Sequence, residues 1–197
     1  MRRAISGAAT ATRRRIGARA ALLVPGLLLF FPARANPPES HMQITSSSFT
    51  HQGTIPAKYT CEGSDTSPPL AWSGVPPSAK SLALIVDDPD APDPKAPRMT
   101  WVHWVLYDVP PQTSSLAESA SRAPPPGTRE GLNDWKKTGY GGPCPPIGRH
   151  RYFFKLYALD TVLPDLGKPS KADLLKAMEG HVVGTAELVG TYQKGQK

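Results

Sequence analysis

Three short stretches of this chain concentrate residue types that can bind an anion or move a proton. Asp88-Pro-Asp-Ala-Pro92 sets two carboxylates, Asp88 and Asp90, around a proline. Trp101-Val-His-Trp104 places an imidazole, His103, inside an aromatic run beginning at Trp101. Gly142-Pro-Cys-Pro-Pro-Ile-Gly-Arg-His-Arg-Tyr152 carries Cys144, His150 and Tyr152 behind a proline- and glycine-rich turn. In an extended segment, residues two apart share a face. His150 and Tyr152 can therefore offer two donors to one anion, with Arg151 turned the other way. Backbone N–H groups of Gly141 and Gly142 could complete an anion-binding concavity.

Each residue also has a plainer reading. Asp-Pro pairs initiate turns, so either one aspartate caps the turn while the other faces a cleft, or both are turn residues. Strand alternation groups His103 with Trp101 and Val105, opposite Val102 and Trp104. There it is either a packed core histidine or a ligand contact. Asp88, His103 and His150 are also the parts of an acid–base site, and Cys144 beside a histidine would make a nucleophilic pair. Two histidines and an aspartate are sensible zinc ligands, though their distance in sequence decides nothing. There is no Gly-x-Ser-x-Gly elbow and no His-Glu-x-x-His helix, and no cofactor is implied.

The elements that position these residues read mostly as strands. Met42–Phe49 alternates weakly. Ser81–Val86 is a continuous apolar run ended by Asp87-Asp88-Pro89, as in a buried central strand. Trp101–Val109 is aromatic and β-branched and stops at Pro110-Pro111. Tyr152–Leu159 carries the strongest strand signal, and Thr185–Tyr192 forms a last strand. One helix is expected, capped by Ser170 with Asp173 three positions on and ended by Gly180. The 23 prolines exclude a helical bundle. An all-β sandwich results, with one or two short helices and long proline-rich loops.

Residues 1–35 stand apart. They hold seven arginines and no acid, an apolar run from Ala20 to Phe31, and a small-residue exit at Ala33-Arg-Ala35. That is the pattern of a cleaved export signal, and the apolar run, broken by Pro25-Gly26, falls short of the roughly 20 residues a membrane span needs. Residues 36–197 then form one domain with no transmembrane segment, in the periplasm or outside the cell. The formal charge of +7 belongs to the leader. The remaining domain is nearly neutral, with no Lys/Arg cluster longer than Lys136-Lys137, which argues against nucleic acid as a partner. Cys61 and Cys144, the only cysteines, are either a bridge or two thiols lining one site.

Taken together, the motifs resemble those of the phosphatidylethanolamine-binding protein (PEBP) family, also called Raf kinase inhibitor-like proteins, and its bacterial branch in particular. The resemblance rests on Ser67-Pro-Pro-Leu-Ala-Trp72, Asp87–Pro92, Trp101–Val105, Gly139–Pro143 and His150–Asp160, which follow in the family's order. It implies a β-sandwich of two antiparallel sheets with a small anion pocket at one end, walled by Asp88, His103, Gly142, His150 and Tyr152, with Asp90 beside them and Trp101 in contact. The implied partner is phosphate, a phosphoethanolamine-type head group or a carboxylate. The chain ends soon after Tyr192, where mammalian members add a covering helix, so a more open pocket is expected. A hydrolase built on Asp88, His103 and His150, with or without Cys144 or a metal, is the alternative activity, and a protein-interaction regulator a further one. For the leader, mass spectrometry of the protein recovered from cells should show a mature terminus near Asn36. An intact Met1 terminus would reject export.

Overall fold

The computed structural model describes residues 41–195, so the expected export signal lies outside the described residues. Eight strands and one α-helix follow in chain order: β1 (Gln43–Thr45), β2 (Leu70–Ser73), β3 (Ser81–Asp88), β4 (Trp101–Val109), β5 (Ser115–Leu116), β6 (Arg129–Glu130), β7 (Arg149–Leu159), α1 (Lys171–Ala177) and β8 (Val182–Gln193). They form two antiparallel sheets, β1-β2-β5 and β6-β4-β3-β7-β8. The all-β expectation holds, as do the main strands and the helix. The short strands β2, β5 and β6 carry too few residues to show a pattern in sequence.

β3 is central in the larger sheet and buried along its whole length, which explains its unbroken apolar run. β7 alternates instead. His150, Tyr152, Phe154, Leu156 and Ala158 point inward, and Arg151, Phe153, Lys155 and Tyr157 lie on the other face. The inward face packs with Ile44, Leu70 and Trp72 of the small sheet and Leu84, Val86, Trp104 and Leu106 of the large one, forming the core between the sheets. The outer face of the large sheet is not left to solvent. Ala83, Ile85, Val102, Val105 and Tyr107 are covered by Leu174 and Met178 of the α1 segment and by Leu163. Ser170 caps α1 through a reciprocal capping box with Asp173.

β4 departs from simple alternation at the position that matters most. Val86 faces Trp104 across the sheet, but the next residue, Asp87, faces Val102. One extra residue, His103, is thereby accommodated on β4 as a β-bulge. The sequence expectation grouped His103 with Val105 and set Trp104 opposite. In the fold Val102 and Val105 both belong to the outer cluster, whereas His103 and Trp104 both turn inward.

Asp87, fully buried on the outer face, is held by two ammonium groups. Lys155 Nζ of β7 donates at 2.9 and 3.0 Å, and Lys171 Nζ of α1 at 2.5 Å. This one carboxylate ties β3, β7 and α1 together. Cys61 and Cys144 form a disulfide with a Cα–Cα distance of 5.4 Å. It anchors the Gly142–Ile147 segment to the loop between β1 and β2. The alternative of two thiols in the pocket is thus not the one the structure takes.

Two consequences are measurable. The bridge closes a loop spanning 83 positions, so Cys144→Ser should lower unfolding free energy by about 2–5 kcal/mol in a denaturant titration; an unchanged midpoint would exclude that contribution. Asp87→Ala leaves two lysines without their counter-charge. Because both keep about a quarter of their side chain in water, the loss should be about 3 kcal/mol, at the lower end for a broken buried pair. Calorimetry at neutral pH reads it directly.

Candidate functional site

A cavity of ≈ 420 Å³ opens at the end of the sandwich where β3 stops, β4 starts and β7 starts. Its lining includes Asp88, Trp101, His103, Cys144, His150 and Tyr152, so the three sequence stretches do meet. The remaining wall is apolar: Ala91, Pro92, Met99, Trp135, Pro145 and Pro146. No lysine or arginine is found among the described residues that line it.

Asp88 organises one side. It is 3 % exposed. Its Oδ1 accepts from the Asp90 N–H at 2.8 Å, closing the turn after β3, and its Oδ2 meets His150 Nδ1 at 2.7 Å. The turn that follows contains a cis Ala91–Pro92 bond. The other His150 nitrogen, Nε2, faces the carbonyl of Ile147 at 3.0 Å. Both ring nitrogens are thus turned onto oxygen acceptors within the protein. His150 was expected to donate to an anion; it serves instead as a fixed wall.

His103 is held from the other side. Its Nδ1 lies 2.6 Å from the carbonyl oxygen of Gly141, and the Gly141 N–H donates to the His103 carbonyl at 3.0 Å. Facing a carbonyl, Nδ1 must carry the proton, so Nε2 of the neutral ring is a bare lone pair. Burial pushes the imidazole below the ordinary histidine range. The bond to Gly141 and the charges of Asp88, Asp87 and Asp65 offset this only in part.

The glycine loop was expected to aim its N–H groups at a guest, and it does not. Gly141 N–H is spent on His103, and Gly142 N–H donates to Asp65 Oδ1 at 2.7 Å. Gly142 does not line this cavity. Its lack of a side chain matters for another reason: a Cβ there would lie 2.4 Å from the Tyr59 carbonyl oxygen. Asp90 is likewise turned away. Its carboxylate takes a bidentate pair from Arg151 Nε and Nη2 at 2.9 and 2.7 Å, plus the Arg151 N–H. These bonds hold Asp90 below the usual carboxylate range. The doubled carboxylate is therefore divided between a pocket residue, Asp88, and a structural one, Asp90.

Three polar atoms of cavity-lining residues find no hydrogen-bond partner among the described residues: Trp101 Nε1, His103 Nε2 and Tyr152 Oη. Unpaired buried groups cost about 1–3 kcal/mol each, so a cluster of three is a feature the fold keeps at its own expense. Burial, and then the Asp88 carboxylate, push the Tyr152 phenol above its ordinary range, so it remains an O–H donor. The rings are close: His103 meets Tyr152 edge-on at 5.2 Å, and Tyr152 stacks with His150 at 6.5 Å.

Trp135 was missed in the sequence. It packs edge-on against both Trp101 and His103, at 5.4 and 5.1 Å. Asn133 shapes its turn by accepting from the N–H groups of Trp135 and Lys137. A Cβ on Gly141 would lie 2.5 Å from the Trp135 ring, so that glycine makes room for it. The only local signal was an Asx-type turn at Asn133, which does not reveal what the following tryptophan covers.

The nucleophilic and metal alternatives meet obstacles in this geometry. Cys144 is bonded to Cys61 and offers no thiol. His150 and the Nδ1 of His103 are already engaged, and no group of three His, Cys, Asp or Glu side chains is arranged for a metal among the described residues.

The comparisons with known proteins agree with this architecture. The family model described as phosphatidylethanolamine-binding protein matches residues 45–193. A UPF0098 protein from Methanothermobacter thermautotrophicus is 52 % identical over 156 residues, covering 78 % of this chain and all of the relative. Among solved structures, a putative phosphatidylethanolamine-binding protein homologue from Chlamydia trachomatis superposes with a TM-score of 0.73 at 48 % identity, covering 79 % of this chain and 99 % of its own. YbcL from Escherichia coli, a member of the mammalian PEBP family, gives 0.70 at 34 % identity, covering 78 % and 98 %. By the family model, by the identity to these relatives and by the superposition, this chain belongs to the phosphatidylethanolamine-binding protein family.

Proposed function

We propose that this chain is an exported binding protein that holds a small anionic ligand, a phosphate, a phosphoethanolamine-type head group or a carboxylate, in the cavity at the end of β3. The observation that carries this reading is the trio of unpartnered atoms on Trp101, His103 and Tyr152 around one concave, mostly apolar space. A ligand oxygen would accept from the Trp101 and Tyr152 donors, and a proton on the ligand would meet the lone pair of His103 Nε2. Trp101 N–H and Tyr152 O–H are donors, and Asp88 with His150 gives a wall that does not shift. Hydrogen bonds to a charged group contribute about 1.5–3 kcal/mol each, and few of them are on offer, so affinity is modest. Export rests on the arginine-rich, apolar and small-residue pattern of residues 1–35.

Tyr152→Phe separates binding from stability. The variant loses a donor to the ligand but also removes a buried hydroxyl without a partner. Phosphate or phosphoethanolamine should shift the His103 and Tyr152 NMR resonances of the wild type at millimolar concentration. In Tyr152→Phe the affinity should fall about tenfold or more, while thermal stability holds or rises by about 1 kcal/mol. No shift in the wild type, or undiminished affinity in the variant, would remove this assignment.

A further inference from the structure

We infer that the cavity takes up one proton together with its ligand, and that it is a site for a singly charged weak oxyacid rather than a dianion. This rests on the anion-binding reading above and adds to it the ligand's charge class and a dependence on pH. The geometry is specific. The carbonyl of Gly141, 2.6 Å from Nδ1, fixes where the proton of a neutral His103 ring resides. That leaves Nε2 of this cavity-lining residue, unpartnered among the described residues, as an acceptor. Two lone pairs, one on Nε2 and one on an anionic oxygen, repel. Contact between them requires a proton, carried in on the acid or taken from solvent by the ring. Either way the complex holds one proton more than the separated anion and protein, with Nε2–H–O closed between them. Trp101 and Tyr152 then donate to the ligand from the same wall.

The charges around the ring set the limit of one. Among the described residues lining the cavity, no lysine or arginine is present and the Asp88 carboxylate is. His103 also feels the charge of Asp87, which lies on the outer face against Lys155 and Lys171, and of Asp65 from the loop before β2. On β7 it meets Tyr152 and, through Asp88, His150; from the β6–β7 loop it meets the uncharged Trp135. A second negative charge on the guest would have no lysine or arginine to face among these residues. Burial pushes the ring below the ordinary histidine range, which favours the neutral form in the absence of ligand.

The sign follows. Affinity should weaken as pH rises, by about tenfold per pH unit where unliganded His103 is neutral and the complex is protonated. The test is an NMR titration of the full mature protein with acetate and, separately, inorganic phosphate between about pH 6 and pH 8, with calorimetry in buffers of different ionisation heat to count protons. Acetate should bind with uptake approaching one proton and with that slope. His103→Gln, whose amide can donate in place of Nε2, should bind acetate with no slope. Acetate binding that is flat with pH in the wild type overturns this inference and leaves the anion site intact. A slope that survives in His103→Gln assigns the proton elsewhere and also overturns it. Absence of binding by either probe at every pH removes the anion-site reading itself.

Discussion

The pocket depends on one buried carboxylate. Asp88 sits at the last position of the central strand, where the sheet ends and a turn must begin. One oxygen closes that turn through the Asp90 N–H, and the other fixes the ring of His150 on the neighbouring strand. A carboxylate 3 % exposed is costly unless its lone pairs are used, and here both oxygens have partners. The same bonds that offset its burial hold the end of β3 and the start of β7 in register. Asp87, one residue earlier and pointing the other way, does the equivalent for the outer face through Lys155 and Lys171. Two consecutive aspartates thus brace both sides of one sheet.

His103 is placed by a different device. A bulge turns it inward, and the Gly141 segment clamps both its backbone and its Nδ1. The clamp consumes the N–H of Gly141, just as Asp65 consumes that of Gly142, and the disulfide holds the following residues. The glycines of this loop therefore act as scaffolding for the imidazole, while Cys144, Pro145 and Pro146 form part of the cavity wall. What remains unpaired is a small set of side-chain atoms on β4 and β7, the two strands flanking β3. Keeping them unpaired sacrifices some stability, which is how binding sites commonly depart from the packing rules the rest of a core obeys.

Much of this was legible locally. The twofold alternation of Tyr152–Leu159, extended back to His150, predicts that His150 and Tyr152 share the core face, and they do. The Ser170 and Asp173 spacing predicts the cap of α1. Other features were not legible, for a physical reason. Whether β4 carries an extra residue is decided by pairing with β3, so simple alternation set His103 with the wrong neighbours. Asp90 and Asp88 look equivalent in sequence, and only the approach of Arg151 separates them. Trp135 lies in a loop whose local chemistry describes a turn and nothing more.

The amino-acid sequence alone determined the all-β class, the order and main extent of the long strands, the helix cap and the residue types able to contact an anion, because each depends on near neighbours and on period. The tertiary structure decided which of those residues face the cavity, which nitrogens and N–H groups are already taken, and that the two cysteines meet. Those outcomes depend on contacts between segments far apart in the chain, where a hydrogen bond made in one place is unavailable in another.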